Sequence, residues 1–295
     1  MARDLVAIIN TTLAGKYVAE REVGKGATAR IYQARDASGR TVALKVLRPE
    51  LLVSVEADRF VREIQIASQL GHRNIARLLD SGSVEWVVYY AMELVDGPTL
   101  RERLQAGPPL TEAEVTSIAA DLLAALGHAH EHGVMHRDVK PENVVLSPDR
   151  GAVLLDFGIA RAMLESGGAK LTGTGITLGT CQYMSPEQIM ATTELDQRTD
   201  LYSLGCLLFE CLTGEPPFVH PSDSVVMQKQ VMEPPPELTS RRPNVDASFA
   251  AGIMRALAKR PADRWTSAAE MRQGMTAPAG STVHGSPATE PSLLA

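Results

Sequence analysis

Four polar residues near the middle of the chain supply the groups that a phosphoryl transfer requires. Asp138, Lys140 and Asn143 lie within six residues, and Asp156 follows thirteen residues later. A carboxylate can orient a hydroxyl nucleophile, a lysine can neutralise phosphate charge, and an amide with a second carboxylate can hold Mg²⁺. His-Arg-Asp alone could be a polar turn, and Asp-Phe-Gly alone an ordinary hairpin. Their joint spacing favours a phosphoryl-transfer centre.

A glycine-rich stretch nearer the N-terminus could bind the phosphates of a nucleotide. This predicted loop consists of Val23, Gly24, Lys25, Gly26, Ala27, Thr28, Ala29, Arg30 and Ile31. Its backbone can close over phosphates and donate N–H groups, although two glycines in a hairpin are more often only a turn. Lys45 on a later strand can contact the α- and β-phosphates, and Glu63 on the next helix is its predicted ion-pair partner. Either charge alone is more often solvated, but their order and spacing favour the pair.

The elements that must position these residues follow from the hydrophobic pattern. Predicted strands cover residues 29–35, 41–47, 75–79 and 86–92. Phe60, Ile64 and Ala67 share one face of a helix predicted between residues 56 and 70. A turn cluster from Val95 to Pro98 predicts a hinge between two lobes.

Helical patterns dominate after the hinge. Thr111 and Glu114 form a capping box that begins a helix leading to the catalytic stretch. A second helix from about Asp200 to Thr213 is apolar nearly all round and ends at a glycine. Weaker helical patterns lie near residues 224–232, 247–258 and 267–274. We therefore predict an α+β fold, with a small β-rich lobe at about residues 15–95 and a larger, mostly helical lobe at about residues 96–275.

Composition and charge restrict the classes of protein that remain. The 295 residues are 44% hydrophobic and 22% charged, as in an ordinary globular domain. The net charge of −6 argues against nucleic-acid binding, which depends on clustered Lys and Arg. Three cysteines without a Cys-x-x-Cys pair favour a reducing, cytoplasmic compartment over a disulfide framework or a zinc site.

Both ends of the chain are predicted to lie outside the folded domain. Residues 1–14 have no secretory signal pattern and are predicted to form a lead-in helix. Residues 276–295 are rich in Thr, Ala, Pro, Gly and Ser, which predicts a disordered tail. The most apolar segment, Leu201 to Leu212, is shorter than the ~20 residues that span a bilayer, so we expect no membrane segment.

Four histidines near the catalytic stretch could in principle bind a metal. His128, His130, His132 and His136 include two pairs at the i,i+4 spacing that metals use on helices. A third acidic or cysteine ligand is not in register with them, and histidines at the end of a helix commonly stabilise its C-terminus. We therefore interpret them as structural, and we assign packing roles to His136 and Phe157.

Taken in order, these motifs resemble those of the serine/threonine protein kinases, especially the eukaryotic-like kinases of bacteria, over about residues 15–275. The matching positions are the glycine-rich loop, Lys45, Glu63, Met92 to Val95, His136 to Asn143, Asp156 to Gly158, Ser185 to Glu187, Asp200 to Gly205 and Arg264. The resemblance implies a bilobal protein kinase fold, ATP and Mg²⁺ as cofactors, and protein substrates with serine or threonine acceptors.

The resemblance also implies roles for residues that the local pattern does not distinguish. Met92 would be the gatekeeper before the hinge, and Glu93 and Val95 would offer backbone groups to adenine. Ala43 and Val145 would enclose the two faces of the adenine ring. Glu187 and Arg264 would form a buried structural bridge.

Ala29 stands where the third glycine of the loop is common, and Ser185 stands where many relatives carry alanine. Each departure exchanges one small residue for another. Neither indicates an inactive enzyme.

Lys140 and Thr180 resemble the serine/threonine branch of the family, in which both help to place a short aliphatic hydroxyl. Thr172 and Thr174 lie in a glycine-rich segment with Thr177, and Arg137 could pair with an added phosphate. We therefore predict autophosphorylation at Thr172 and Thr174, which would require self-association if it occurs in trans. The alternative is that these threonines only keep the loop soluble.

Two other functions share part of this pattern with a protein kinase. A pseudokinase scaffold would keep the fold without transfer, but Lys45, Asp138, Asn143 and Asp156 are all intact. A small-molecule phosphotransferase would share those residues but lack the peptide-binding region, which the Gly-Thr and Ser-Pro-Glu motifs at residues 179–187 suggest is present. Cys181 beside that region is predicted to be inert.

Overall fold

The N-terminal lobe is a five-stranded antiparallel sheet with a helix on one face. The computed structural model of the whole chain describes residues 2–26, 29–48, 61, 64–65, 68–157, 180–192 and 194–276. The elements of the N-terminal lobe are α1 (Ala2–Thr12), β1 (Tyr17–Lys25), β2 (Ala29–Asp36), β3 (Thr41–Leu47), β4 (Leu78–Val84) and β5 (Val87–Glu93). The strand order is β1-β2-β3-β5-β4, and every neighbouring pair is antiparallel.

Three of the predicted strands match β2, β3 and β5 closely, but the strand predicted at 75–79 is wrong in its position. Ile75 forms a bridge with Leu154 of the other lobe, and the Ala76 N–H donates to Leu154 O at 2.9 Å. Pairing with β5 begins only at Leu78. The helix predicted at 56–70 lies mostly outside the described residues, although Ile64 is described and fully buried.

Helix α1 covers the outer face of the sheet. Ile9 and Leu13 are buried in one apolar cluster with Val42 and Leu44 of β3. Because side chains alternate along a strand, Lys45 faces the opposite side, toward the other lobe. The apolar layer under α1 therefore forms the back of the surface that carries Lys45.

Asn10 of α1 also satisfies the backbone at the edge strand β1. Its Nδ2 donates to Ala19 O at 3.1 Å, and the Ala19 N–H donates to Asn10 Oδ1 at 2.6 Å. An edge strand presents unpaired backbone groups, and this side chain covers two of them.

The C-terminal lobe is mostly helical. Its elements are α2 (Leu100–Ala106), α3 (Glu112–Glu131), β6 (Val144–Ser147), β7 (Gly151–Leu154), α4 (Pro186–Ile189), α5 (Arg198–Thr213), α6 (Asp223–Met232), α7 (Leu238–Arg241), α8 (Ala247–Ala256) and α9 (Ala268–Thr276). Short 3₁₀ turns lie at Pro141–Asn143, Thr180–Gln182 and Pro261–Asp263. This bilobal arrangement is the α+β fold that the sequence predicted.

Local signals explain where the two main helices of this lobe begin and end. The predicted capping box of α3 is present: the Glu114 N–H donates to Thr111 Oγ1 at 3.3 Å, and the Thr111 N–H donates to Glu114 Oε2 at 2.7 Å. Helix α5 is buried along almost its whole length, as its apolar sequence predicted, and ends at Gly214 with a φ of +88°. None of the described helices is both long and apolar enough to cross a membrane.

The two lobes meet where the predicted hinge passes the β6–β7 hairpin. The Leu146 N–H donates to Pro98 O at 2.9 Å, and Gly97 adopts a φ of +130°. A Cβ on Gly97 would lie 2.2 Å from Leu146 O, so only glycine fits there. Asn74, which precedes β4 in the N-terminal lobe, reaches the same hairpin and donates to Ala152 O at 2.8 Å.

Candidate active site

One buried carboxylate fixes the catalytic loop, which consists of residues 136–143. Asp200, near the start of α5, accepts hydrogen bonds from the His136 N–H at 2.9 Å, the Arg137 N–H at 2.7 Å and His130 Nε2 at 2.8 Å. Burial alone raises the pKa of Asp200, but the hydrogen bonds from His130 and from the Arg137 N–H outweigh it and lower the pKa. The carboxylate is therefore ionised and fixes a loop in which Arg137 has a φ of +67°.

His136 connects this loop to the strand end that carries Asp156. Its Nε2 donates to Leu155 O at 2.6 Å, while its Nδ1 accepts from the Asp138 N–H at 3.1 Å. The two bonds require a neutral ring protonated at Nε2. The ring also packs edge-on against Phe157, with centroids 4.7 Å apart. These contacts are those of a positioning and packing residue.

Asp138, Lys140 and Asn143 converge on one point of the loop. Asn143 Nδ2 donates to Asp138 O at 2.8 Å and to Asp138 Oδ2 at 3.0 Å, and Lys140 Nζ lies 2.7 Å from the same Oδ2. The short turn Pro141–Asn143 makes this possible, because it bends the chain back toward Asp138. A carboxylate oriented by an amide and a lysine is suited to position a hydroxyl.

Lys45 and Asp156 meet across the cleft between the lobes. They form an ion pair, and Lys45 Nζ also lies 5.9 Å from the centroid of the Tyr90 ring on the neighbouring strand β5. Lys45 is almost completely buried, which strengthens its interaction with a carboxylate. Asp156 has a φ of +63°, a left-handed conformation that is uncommon away from glycine.

Asn143 and Asp156 fit the role of Mg²⁺ ligands. Leu155 N–H donates to Asn143 O at 2.8 Å, which brings the two residues to the same side of the cleft. Asp156 Oδ1 is buried and has no hydrogen-bond partner within the described part of the structure. Because Nδ2 of Asn143 is committed to Asp138, its amide oxygen is the atom left to bind a cation. Two oxygen ligands of this kind suit Mg²⁺ that also binds phosphate and water.

The glycine-rich loop lies at the turn between β1 and β2. Gly24 pairs with Ile31 and Lys25 with Arg30, and the Gly26 N–H donates to Ala29 O at 2.8 Å. The flanking residues Val23 to Gly26 and Ala29 to Ile31 are therefore placed at one end of the sheet, beside the strand that carries Lys45.

The residues implied in adenine binding lie around the hinge. Ala43 pairs with Met92, and its side chain is on the same face of β3 as Lys45. Val145 is buried and forms a bridge with Thr99 beside the hinge. The Glu93 carboxylate accepts from the Arg77 N–H and from Arg150, and the Glu93 N–H donates to Arg77 O at 3.0 Å. The carbonyl oxygen is therefore the backbone group of Glu93 that can face a nucleotide, and the role implied for the Val95 backbone stays a prediction.

The implied bridge between Glu187 and Arg264 is present and completely enclosed. Arg264 binds both carboxylate oxygens of Glu187, at 2.7 and 2.8 Å, and the Thr199 hydroxyl donates to the same carboxylate at 2.9 Å. Burial alone raises the pKa of Glu187, but Arg264 outweighs it and lowers the pKa. This bidentate pair ties α4 to the turn before α9.

Several predicted site residues lie outside the described residues. They are Ala27, Thr28, Glu63, Thr172, Thr174, Thr177 and Gly179, and for Thr180 only the backbone is described. The Lys45–Glu63 pair and the autophosphorylation sites therefore stay predictions, as does the tail from residue 277 onward.

Sequence reasoning missed a network centred on Arg101. Arg101 contacts Glu142 of the catalytic loop, Tyr183 and the buried Glu210. An arginine in the first turn of a short helix looks like a solvated charge. The only local signal was Glu210, an acidic residue inside the otherwise apolar α5.

Similarity to known proteins agrees with this geometry. The protein kinase domain family matches residues 17–275. Serine/threonine-protein kinase PknB of Mycolicibacterium smegmatis is 41% identical over 88% of this chain and 42% of its own length. A probable serine/threonine-protein kinase of Streptomyces coelicolor is 41% identical over 88% of this chain and 39% of its own length. Serine/threonine-protein kinase pkn3 of Myxococcus xanthus is also 41% identical over 88% of this chain, and the match covers 49% of its length.

The chain thus spans less than half the length of these relatives. The family match, however, extends from the first strand of the sheet to the last helix of the C-terminal lobe. The chain therefore belongs to the protein kinase domain family.

Proposed function

We propose that the chain is a serine/threonine protein kinase domain that transfers the γ-phosphate of ATP to hydroxyl groups of proteins. The grouping of the polar side chains carries the proposal: Lys45 pairs with Asp156 from the other lobe, and Asp138 contacts Lys140 and Asn143 within one loop. A phosphoryl transfer needs these groups together, because its catalysis consists mainly of positioning and charge stabilisation. The relatives named as serine/threonine-protein kinases support the class of acceptor.

Asp138 would orient the acceptor hydroxyl and receive its proton. Asn143 and Lys140 both contact Oδ2, which fixes the direction of the carboxylate. Lys140 would also neutralise charge on the transferring phosphate. Asn143 and Asp156 would hold Mg²⁺, which neutralises charge on the phosphates when it is bound.

The nucleotide would lie between the two lobes. Lys45 would bind its α- and β-phosphates beneath the glycine-rich loop, and Ala43 and Val145 would enclose the adenine ring. The lysine and alanine share one face of β3, and the valine belongs to the hairpin on the opposite side of the cleft. A cleft with one apolar end and one charged end suits a base linked to phosphates.

Two finer features belong to the same proposal. Lys140 and Thr180 would favour a short aliphatic hydroxyl over tyrosine. Phosphate added to Thr172 and Thr174 would be recognised by Arg137, and transfer between two copies would require transient self-association.

All three cysteines are free and buried, which supports a reducing compartment such as the cytoplasm.

Transfer of labelled phosphate from ATP-Mg²⁺ to casein and to myelin basic protein tests the main proposal. We expect Asp138→Asn to lower kcat at least about a hundredfold, because general-base catalysis and orientation are both lost. Asp149→Asn is the matched control, since it makes the same substitution at an exposed position of the β6–β7 turn. Equal transfer by Asp138→Asn and the wild type would show that the catalytic centre is misassigned.

The same preparation separates the alternative functions. A pseudokinase scaffold would bind nucleotide and label neither protein. A small-molecule phosphotransferase would label small hydroxyl compounds and leave both proteins unlabelled.

Mass spectrometry after incubation with ATP tests the autophosphorylation sites. We expect phosphate on Thr172 and Thr174, and none when Asp138→Asn protein is incubated alone. An unmodified segment from residue 172 to residue 177 in an active preparation would contradict that part of the proposal.

A further inference from the structure

Arg101 is bonded to three parts of the protein that are far apart in the sequence. Its Nε lies 2.7 Å from Glu142 Oε1, one terminal nitrogen lies 2.6 Å from Glu210 Oε1, and the other lies 2.5 Å from the Tyr183 hydroxyl. Tyr183 also donates to Glu210. The guanidinium group uses all three of its nitrogens, and each bond goes to a different partner.

Two of the three partners of Arg101, Glu142 and Tyr183, belong to segments that would meet a protein acceptor, and the third, Glu210, lies in α5. Glu142 lies in the turn Pro141–Asn143, beside the candidate Mg²⁺ ligand and four residues after Asp138. Tyr183 follows the turn that begins at Thr180. Neither partner lies in the strands that would bind the nucleotide.

The network around Arg101 is buried at one end and exposed to solvent at the other. Tyr183 and Glu210 are buried, whereas the Glu142 side chain is 46% exposed. Burial alone lowers the pKa of Arg101, but Tyr183 and the two glutamates outweigh it and raise the pKa, so the guanidinium stays charged. A buried glutamate that lost this partner would be left with an uncompensated charge.

We propose that Arg101 is a positioning residue that sets the catalytic loop at Glu142 against the segment at Tyr183, and thereby aligns a protein acceptor with Asp138. The inference rests on the proposed function, because it concerns how that activity receives its substrate. Arg101 acts through Glu142 and Tyr183 rather than on the reacting atoms. Loss of alignment should weaken use of the protein acceptor and leave use of ATP unchanged.

Steady-state kinetics with both substrates tests this role. We expect Arg101→Met to raise KM for the acceptor protein about tenfold, with KM for ATP within about twofold of the wild type. Arg101→Lys keeps the charge but cannot make three directed bonds, so it should recover only part of the loss. Arg103→Met is the matched control on the same helix, because the contacts of Arg103 within the described residues are a 3.7 Å pair with the half-exposed Glu114 and a bond to Pro108 O.

Tyr183→Phe keeps the test valid if Arg101→Met folds poorly. It removes one hydroxyl and leaves both glutamate contacts of Arg101 in place, so the fold should be retained. We expect KM for the acceptor protein to rise about threefold. In the double variant the effect should equal that of Arg101→Met alone, because both residues act through one network. Effects that multiply would show independent roles and overturn the proposal.

Acceptors of opposite charge separate positioning from simple charge neutralisation. Loss of alignment raises KM for casein, which is acidic, and for myelin basic protein. If Arg101 only neutralised its two glutamates, Arg101→Met would lower KM for the basic acceptor, and that result would overturn the proposal.

Failure of the proposed function gives a different result. A wild-type protein that labels neither acceptor overturns the kinase activity and, with it, the role of Arg101. Normal transfer by the wild type with an unchanged KM in Arg101→Met and Tyr183→Phe overturns the role of Arg101 alone.

Discussion

The catalytic loop and Lys45 face each other across the cleft, and different interactions support them. Beneath the loop, the fully buried Asp200 accepts three hydrogen bonds, from His130, His136 and Arg137. Behind Lys45, the support is the apolar layer between α1 and the outer face of the sheet. The charged pairs of the N-terminal lobe lie nearer its surface, as in Arg35 with Glu20.

The two kinds of support differ because one must hold a loop conformation and the other must hold a sheet against a helix. Buried charged hydrogen bonds are directional, so they can hold a loop in an uncommon backbone conformation such as that of Arg137. Apolar packing is not directional, and it holds a sheet against a helix through contact area. Substitutions should therefore lower the free energy of unfolding by breaking polar networks in the C-terminal lobe and by leaving cavities in the N-terminal lobe.

The largest loss of stability is expected at the enclosed pair in the C-terminal lobe. Arg264→Met leaves Glu187 buried without its bidentate partner, which should lower the free energy of unfolding by about 3–5 kcal/mol. Urea denaturation monitored by fluorescence and circular dichroism measures it. Arg260→Met is the matched control, because its contact with Asp263 is 3.9 Å long and exposed. The control should change stability by less than about 0.5 kcal/mol.

A double variant distinguishes lost pairing from lost packing at this site. If the cost comes from the unpaired carboxylate, Glu187→Leu combined with Arg264→Met should be more stable than Arg264→Met alone. A double variant that is less stable than the single one would indicate that the volume of the arginine matters more than its charge.

The next largest loss is expected from a cavity under α1. Ile9 is fully buried against the sheet, whereas the neighbouring Ile8 is 40% exposed. Ile9→Ala should lower the free energy of unfolding by about 2–4 kcal/mol, and Ile8→Ala by less than about 0.5 kcal/mol. Because Ile9 packs on the face opposite Lys45, KM for ATP should not change in the folded fraction. An altered KM for ATP would show that α1 also shapes the cleft.

The sequence predicted elements well where the signal was local. The capping box of Thr111 and Glu114, the glycine end of α5 and the strand pattern at residues 41–47 each depend on neighbouring residues, and each element formed as predicted. The order of motifs likewise predicted the bilobal fold. The misplaced β4 shows the limit, because extended residues at 75 and 76 signal a strand but not its partner in the other lobe.

The contacts that hold the site could not be predicted in the same way. Arg101 bonds to residues 41, 82 and 109 positions away, and no local pattern encodes such distances. Asp200 was recognised within a family motif, but its three donors arise only when α3, the catalytic loop and α5 pack together. Residue types predicted the chemistry, and long-range packing decided which side chains support it.

Acid should reduce the stability that the buried carboxylates of the C-terminal lobe contribute. Burial raises the pKa of Asp200, but the bond from His130 outweighs it, so the folded pKa lies below the ordinary value. The unfolded chain then binds the proton more readily, and the stability from Asp200 is present above pH ~4 and is lost as the pH falls through the folded pKa. Asp200→Asn should therefore lose less stability between pH 5 and pH 3 than the wild type.

Asp36 provides the matching test in the N-terminal lobe. The Ser38 hydroxyl, together with Arg40, holds the pKa of Asp36 at about 2, but all of these bonds lie within one turn. An unfolded chain can form some of them, and water screens the rest. Asp36→Asn should change the acid dependence of unfolding less than Asp200→Asn does. An equal change would remove the contrast between the lobes.

The smallest effect is expected at the surface pair of the N-terminal lobe. Arg35 Nε lies 2.7 Å from Glu20 Oε1, the same distance as the shorter contact of the enclosed Arg264–Glu187 pair, but the Arg35 side chain is 54% exposed. Water and salt screen such a pair, so Arg35→Met should cost less than about 0.5 kcal/mol, and less still at 1 M salt. Arg264→Met makes the same chemical change at a fully enclosed site, so the ratio of the two losses measures burial rather than bond length. If Arg35→Met cost as much as Ile9→Ala, charged pairs would support the N-terminal lobe as they support the C-terminal one.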